Sequence, residues 1–315
     1  MIAFLNRILL PFSIMVGTVF YFAFTLIEPL QPLGRWCGPR LLQMMPYTVF
    51  VLLYLTFCKI DLSRMRPRMW HLWVQVARIS LSLLAVWAIV SLPAGSPWHI
   101  VLVGVFACVV CPTAAAAPLV TGKLGGDISS MTTFMLIGNL VSIILIPALF
   151  PLVHQGAGIP FLATALLVFR RVTLVLLVPL LLAVLTRRYL PALAERATRT
   201  RDLPFYLWCM NLSIVSGLTI DNTLHAGVGG NTLLALIFAP LGVCLLLFAL
   251  GKGIGHLHGD TIGAGQALGQ KNTIVAIWLT ITFLHPLAAV SPGAYVLWQN
   301  LVNSFQLWAY GNKHK

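Results

Sequence analysis

Charged side chains are scarce in this 315-residue sequence, and acidic ones scarcer still. Asp, Glu, Lys and Arg make up 9% of it, against about a quarter in soluble globular domains. Only 7 residues are acidic, so the 20 Lys and Arg leave a net charge of +13. Also missing are any low-complexity segment, any coiled-coil heptad and any polar stretch long enough for a soluble domain. A soluble globular protein is excluded, and function has to reside in the apolar segments. No Walker loop or serine-centred elbow occurs, and Gly263-Ala-Gly265 lacks the strand a dinucleotide fingerprint needs. Neither an enzymatic activity nor a cofactor is expected. The 6 cysteines lie within or beside apolar segments and do not form a disulfide framework.

What the chain has instead is apolar length. The hydrophobic share is 59% and the mean hydropathy +0.93. Apolar stretches of roughly 18 to 25 residues recur throughout, where a membrane barrel would alternate in segments of about ten. The expected fold is an all-α polytopic membrane protein. Ten spans are expected near 8–28, 41–58, 70–92, 97–121, 128–150, 161–186, 203–223, 231–251, 261–283 and 293–310. Met1 to Gly17 resembles a signal peptide, but without a convincing Ala-x-Ala site it reads as the start of the first span.

Alternate connections divide the basic residues unevenly. One side collects Arg7, Lys59, Arg64, Arg66, Arg68, Lys123, Arg187, Arg188, Arg196, Arg199, Arg201, Lys252, Lys313 and Lys315; the other has Arg35, Arg40, Arg170 and Arg171. Basic loops stay in the cytoplasm, so both termini are expected there, in a bacterial inner membrane. Scattered over short loops, these charges suit lipid headgroups and not nucleic acid. The expected state is a monomer.

Two interruptions break the apolar pattern: Cys-Pro-Thr-Ala-Ala-Ala-Ala-Pro at 111–118 and Gly-Gln-Lys-Asn at 269–272. Proline removes a backbone donor and glycine weakens a helix, so Pro112, Pro118 and Gly269 should unwind spans four and nine near mid-membrane. Freed backbone groups persist there only inside protein or beside a cavity. The breaks lie about half a chain apart. Five spans on each side of a midpoint loop at Pro151 to Pro160, with His154, Gly156 and Gly158, would give inverted repeats of about 1–155 and 156–315. That is the layout of a secondary transporter with a site made from discontinuous helices.

Lys271 is the most informative ionisable group, since burying a lysine at the bilayer centre costs about 3 kcal/mol unless something compensates it. The bland reading has it snorkelling to an interface, or bonded to carbonyls freed by the unwound backbone. Arg78, well inside the third span, is the second candidate. The carboxylates Glu28, Asp61, Asp127, Glu195, Asp202, Asp221 and Asp260 all fall near span ends or in loops. An anionic ligand, with the positive ends of half-helices, would neutralise both cations. Gln266, Gln270, Asn272 and Thr273 cluster at the second break, and Thr113 and Thr121 flank the first. They either hold a ligand or satisfy broken backbone. His256-Leu-His258-Gly-Asp260 invites a metal reading but is expected to be a solvated loop, and no metal site is expected. Cys108 and Cys111 are spaced to share a helix face, where small packing residues are the ordinary reading.

Several motifs follow one another in order. Met45 and Pro46 precede Tyr54-Leu-Thr-Phe, the third span ends near Trp87, Cys-Pro-x-x-x-Ala falls at 111–116, Gly126-Asp127 opens span five, and Gly-x-x-Asn falls at 269–272. Through most of its length the chain resembles the bile acid:sodium symporter family, within the bile, arsenite and riboflavin transporter superfamily. The resemblance implies ten helices: a core of spans three to five and eight to ten, and a panel of spans one, two, six and seven. It also implies that helices 4 and 9 cross at unwound centres while the core moves against the panel. A small organic anion is the implied substrate. Where such symporters hold sodium with oxygen ligands, this chain has Ala117, Pro118, Met131, Met135 and Ala267; where they carry glutamines, it has Lys271 and Arg78. The ammonium of Lys271 is therefore expected to stand in for sodium, and its deprotonation would couple transport to protons; uniport and exchange remain open. The alternatives are a sensor or scaffold that keeps the fold without flux, an enzyme using His256, His258 and Asp260, and an arsenite exporter needing Cys108 or Cys111.

Overall fold

Apart from one isolated β-bridge, every regular element among the described residues is helical, as a chain with no water to satisfy its backbone requires. The computed structural model describes residues 2–59, 65–93, 95–153, 160–199, 203–225 and 227–313. The expected midpoint loop with His154, Gly156 and Gly158 lies outside these residues, as do Asp61, Arg64, Arg201, Asp202 and Lys315 and the side chains of Arg7 and Lys313.

The helices are α1 (Ile2–Leu26), α2 (Gln31–Cys58), α3 (Met69–Val90), α4 (Trp98–Val110), α5 (Ala117–Lys123), α6 (Ile128–Val153), α7 (Phe161–Tyr189), α8 (Pro191–Arg199), α9 (Leu203–Leu224), α10 (Gly230–Leu257), α11 (Thr261–Gly269), α12 (Thr273–Phe283) and α13 (Val290–Lys313). Among the described residues, five stretches are long and apolar enough to cross a membrane: Glu28–Cys58, Met69–Val90, Ile128–Val153, Phe161–Tyr189 and Gly230–Leu257. Internal prolines at 46, 147, 179 and 240 do not end their helices. Such prolines are tolerated where neighbouring elements re-satisfy the freed carbonyls.

Two local expectations change. Arg170 and Arg171 do not lie in a connection; they sit on the exposed side of α7, because nothing between Phe161 and Pro179 breaks that helix. The polar stretch between the expected spans 161–186 and 203–223 also contains a helix. In α8, Pro191 supplies a preset φ at the first position, Ala194 and Ala197 form its buried face, and Arg199 lies 3.9 Å from Glu195 one turn earlier.

The chain divides into two compact units, one of residues 1–59 and 178–227 and one of 60–177 and 228–315. In the first, α9 packs on α1 and α2. Gly17 backs onto the main chain of Ser213, whose Oγ donates to Ser13 O (2.8 Å), and Thr48 Oγ1 donates to Asn211 Oδ1 (2.6 Å). Small residues and hydroxyls thus set helix approach where hydrophobicity alone does not discriminate. In the second unit, a core of Trp70, Val74, Cys108, Ala117, Met131, Phe134, Ala267 and Tyr295 joins both broken spans to α3, α6 and α13. α10 lies tight on α11: a Cβ on Gly251 would stand 2.5 Å from Ala264 O.

Candidate functional site

Both breaks form where the residue types demand. Cys111 is extended (φ −65°, ψ 150°), the conformation a following proline imposes, so α4 stops at Val110. Pro118 is not itself in the unwound stretch. It occupies the first turn of α5, where its missing N–H costs nothing, and so restarts the helix. The second break runs through Gln270 and Lys271 between Gly269 and the start of α12, where Asn272 acts as N-cap, accepting from Val275 N (3.4 Å).

The two unwound stretches pair with each other. Thr113 and Lys271 form an antiparallel β-bridge, Ala114 N donates to Gln270 O (3.0 Å), and Asn272 N donates to Pro112 O (2.8 Å). Side chains complete the accounting: Thr113 Oγ1 donates to Ala267 O (2.7 Å), Tyr295 OH to Gly269 O (2.7 Å), and Lys271 N to Gln299 Oε1 (2.9 Å). Helical backbone freed by one break is therefore satisfied by the other break and by α13.

Lys271 is 1% exposed and does not snorkel. Its Nζ donates to Val109 O (2.9 Å) and Cys111 O (3.4 Å), carbonyls at the C-terminal end of α4. That end carries the negative pole of the half-helix, so a fixed positive charge there is electrostatically favoured. Among the described residues, neither Lys271 nor Arg78 forms an ion pair with a carboxylate. Arg78, 2% exposed, donates through Nη1 to Ser142 Oγ (2.8 Å) and through Nη2 to Gly138 O (3.2 Å), both on α6. Its Nε has no partner.

Of the other expected site residues, Thr113, Gln270, Asn272 and Thr273 sit at the crossing, and Gln270 Oε1 is buried without a partner. Gln266 does not reach it. It lies a turn back in α11, and its Nε2 donates to Asn303 Oδ1 (3.0 Å) on α13. Thr121 lies inside α5, beyond the break. Sequence reasoning missed Gln75, Asn139, Ser142, Tyr295 and Gln299. Glutamine three residues before Arg78, and the Asn139, Ser142 pair at the same spacing, were the available signals of polar faces on two apolar helices.

The positions matched to sodium ligands are apolar and buried: Ala117, Pro118, Met131, Met135 and Ala267. A hard cation needs several oxygen ligands, which these side chains do not offer. Asp260 is not in a solvated loop; it is 9% exposed and caps α11 by accepting from Gly263 N (2.7 Å), and burial pushes its carboxyl above the usual range. His258 stacks on Trp73, and the described residues hold no cluster of three metal-ligating side chains. Cys108 and Cys111 are free and fully buried. A cavity of about 330 Å³ lies away from the crossing, lined by Arg68, Gly125, Gly126, Asp127, Gly259, Asp260, Thr261 and Ile262, with Arg68 paired to Asp127 across it.

Apolar helices of spanning length and two interrupted helices that satisfy each other's backbone are the kind of arrangement found in membrane transporters with discontinuous helices. Residues 59–280 match the model of the SBF-like CPA transporter family, and the chain belongs to that family. A search of curated proteins gives no match.

Proposed function

We propose that the protein is a secondary transporter that moves a small organic anion by alternating access without sodium, the ammonium of Lys271 holding the place of the metal ion. The observation that carries this reading is the seat of that ammonium on Val109 O and Cys111 O at the crossing of the two breaks. In transporters with broken helices, unwound carbonyls and half-helix C-termini are the groups that coordinate the coupling cation. Here the cation is covalent, and the apolar side chains of Met131, Met135 and Ala267 leave a second one without ligands. Deprotonation of Lys271 would remove the charge that strengthens its hold on those carbonyls, which makes the proton the natural coupling ion.

The reading includes ten spans in two inverted five-helix repeats, with both termini in the cytoplasm of a bacterial inner membrane. Substrate polar groups would meet Gln270, Asn272, Thr273 and Thr113 at the crossing. Uptake into proteoliposomes tests it: anion flux should persist when all sodium is replaced by choline and should respond to an imposed pH gradient. A steep sodium requirement overturns the reading. Absence of flux for every small carboxylate and sulfonate tried would favour a sensor that keeps the fold.

A further inference from the structure

Lys271 has its acceptors; Arg78 is the buried cation left incomplete. Gln75 and Arg78 lie three residues apart on one face of α3, and Asn139 and Ser142 lie three apart on the facing side of α6. Gly138 permits the close approach, because a Cβ there would stand 3.1 Å from Gln75 Nε2. Arg78 Nη1 and Nη2 bridge the helices to Ser142 Oγ and Gly138 O. Ser142 Oγ is itself spent on Gly138 O (2.8 Å). What is left over is unusual. Among the described residues, Arg78 Nε and the side-chain amide nitrogens and oxygens of Gln75 and Asn139 are buried without a hydrogen-bond partner. Gln75 is 5%, Arg78 2% and Asn139 1% exposed.

Buried polar groups are nearly always paired, and a buried charge without a counter-charge is the most costly exception. The leftover groups are three donors, Arg78 Nε, Gln75 Nε2 and Asn139 Nδ2, and two amide oxygens, Gln75 Oε1 and Asn139 Oδ1, and among the described residues no carboxylate pairs with the guanidinium, so the net charge of the group is positive. That chemistry selects an anion. The dense surroundings, which leave these atoms almost no accessible surface, select a small one.

We propose that Arg78, Gln75 and Asn139 form a binding site for a small monovalent anion of halide or formate size, resident between α3 and α6. Its residues are not those whose main chains join the two breaks, and the proposal stands whether or not transport is sodium-independent. The bound ion offsets the guanidinium charge and accepts from the stranded amides, so it fastens α3 to α6.

The test uses purified full-length protein in chloride-free detergent buffer with gluconate as the bulky anion. Unfolding is followed by tryptophan fluorescence while chloride, bromide or formate is added at constant ionic strength. The wild type should show a saturable rise in Tm of about 2 °C or more with each small anion and none with gluconate. Arg78→Gln and Asn139→Leu should lose the response. If Arg78→Gln does not fold, chloride-35 line broadening on the wild type, relieved by formate, gives the same answer. A Tm insensitive to all three anions, a response that survives in Arg78→Gln, or absence of competable broadening overturns the proposal.

Discussion

Replacing Lys271 by Met nearly conserves side-chain volume while removing the charge and its donors, so cavity formation contributes little. Two carbonyls, Val109 O and Cys111 O, lose their partner. Stranding a buried acceptor costs about 1–3 kcal/mol, and the 3.4 Å bond to Cys111 O puts the second at the low end. Against this, a lysine is no longer buried at mid-membrane, a relief of about 3 kcal/mol on insertion scales. The two effects nearly cancel, leaving a net change in stability of about 1 kcal/mol. Transport should respond quite differently, because the negative end of α4 then lacks any cation. Anion uptake by Lys271→Met should fall at least about tenfold, equivalent to 1.4 kcal/mol in the barrier. The assay is initial-rate uptake into proteoliposomes, paired with thermal unfolding in detergent to show that the variant is folded. A folded variant that transports at the wild-type rate refutes the assignment of the ammonium as the coupling cation. Large destabilisation with an unchanged rate per folded molecule would make Lys271 a structural clamp.

Other outcomes follow from the same geometry. Tyr295→Phe strands Gly269 O beside the second break and should lower stability by about 1–3 kcal/mol, read by thermal unfolding. The raised pKa of Asp260 means that the folded state binds this proton more tightly than the unfolded chain. Its contribution to stability is therefore fully present below the ordinary carboxylate pKa and is lost as pH rises through the folded value. Asp260→Asn, which retains the capping oxygen, should flatten the Tm profile over that window; an unchanged profile would show that another group dominates it.

The breaks were legible because proline and glycine act locally: Pro112 forces Cys111 out of the helix, and an Asn after a Gly-containing gap is a ready N-cap for α12. The burial of Lys271 was legible from its depth in an apolar run. That it would bond carbonyls freed by an unwound backbone was the plainer expectation and is what the structure shows; which carbonyls was not legible, since Val109 O is 162 residues away and only the tertiary crossing brings it near. The partner of Gln266 was hidden for a related reason: proximity along the chain to Gln270 does not fix which way a helical side chain points, and its Nε2 meets Asn303 on α13. The short helix α8 escaped because its apolar face is only alanine wide, with Ala194 and Ala197. Likewise Gln75 and Asn139 gained meaning only once α3 and α6 were seen to face each other across Arg78.

The antiparallel bridge at Thr113 and Lys271 also bears on how the molecule is made. While the first half of the chain leaves the ribosome, Pro112 O and Ala114 N have no mate, because Asn272 and Gln270 are still to be synthesised. The early segment therefore lacks its native partners until the late segment arrives to close the crossing. Truncation anywhere before residue 272 should therefore yield a product that the cell's quality control removes, even though most of the spanning helices would already be complete.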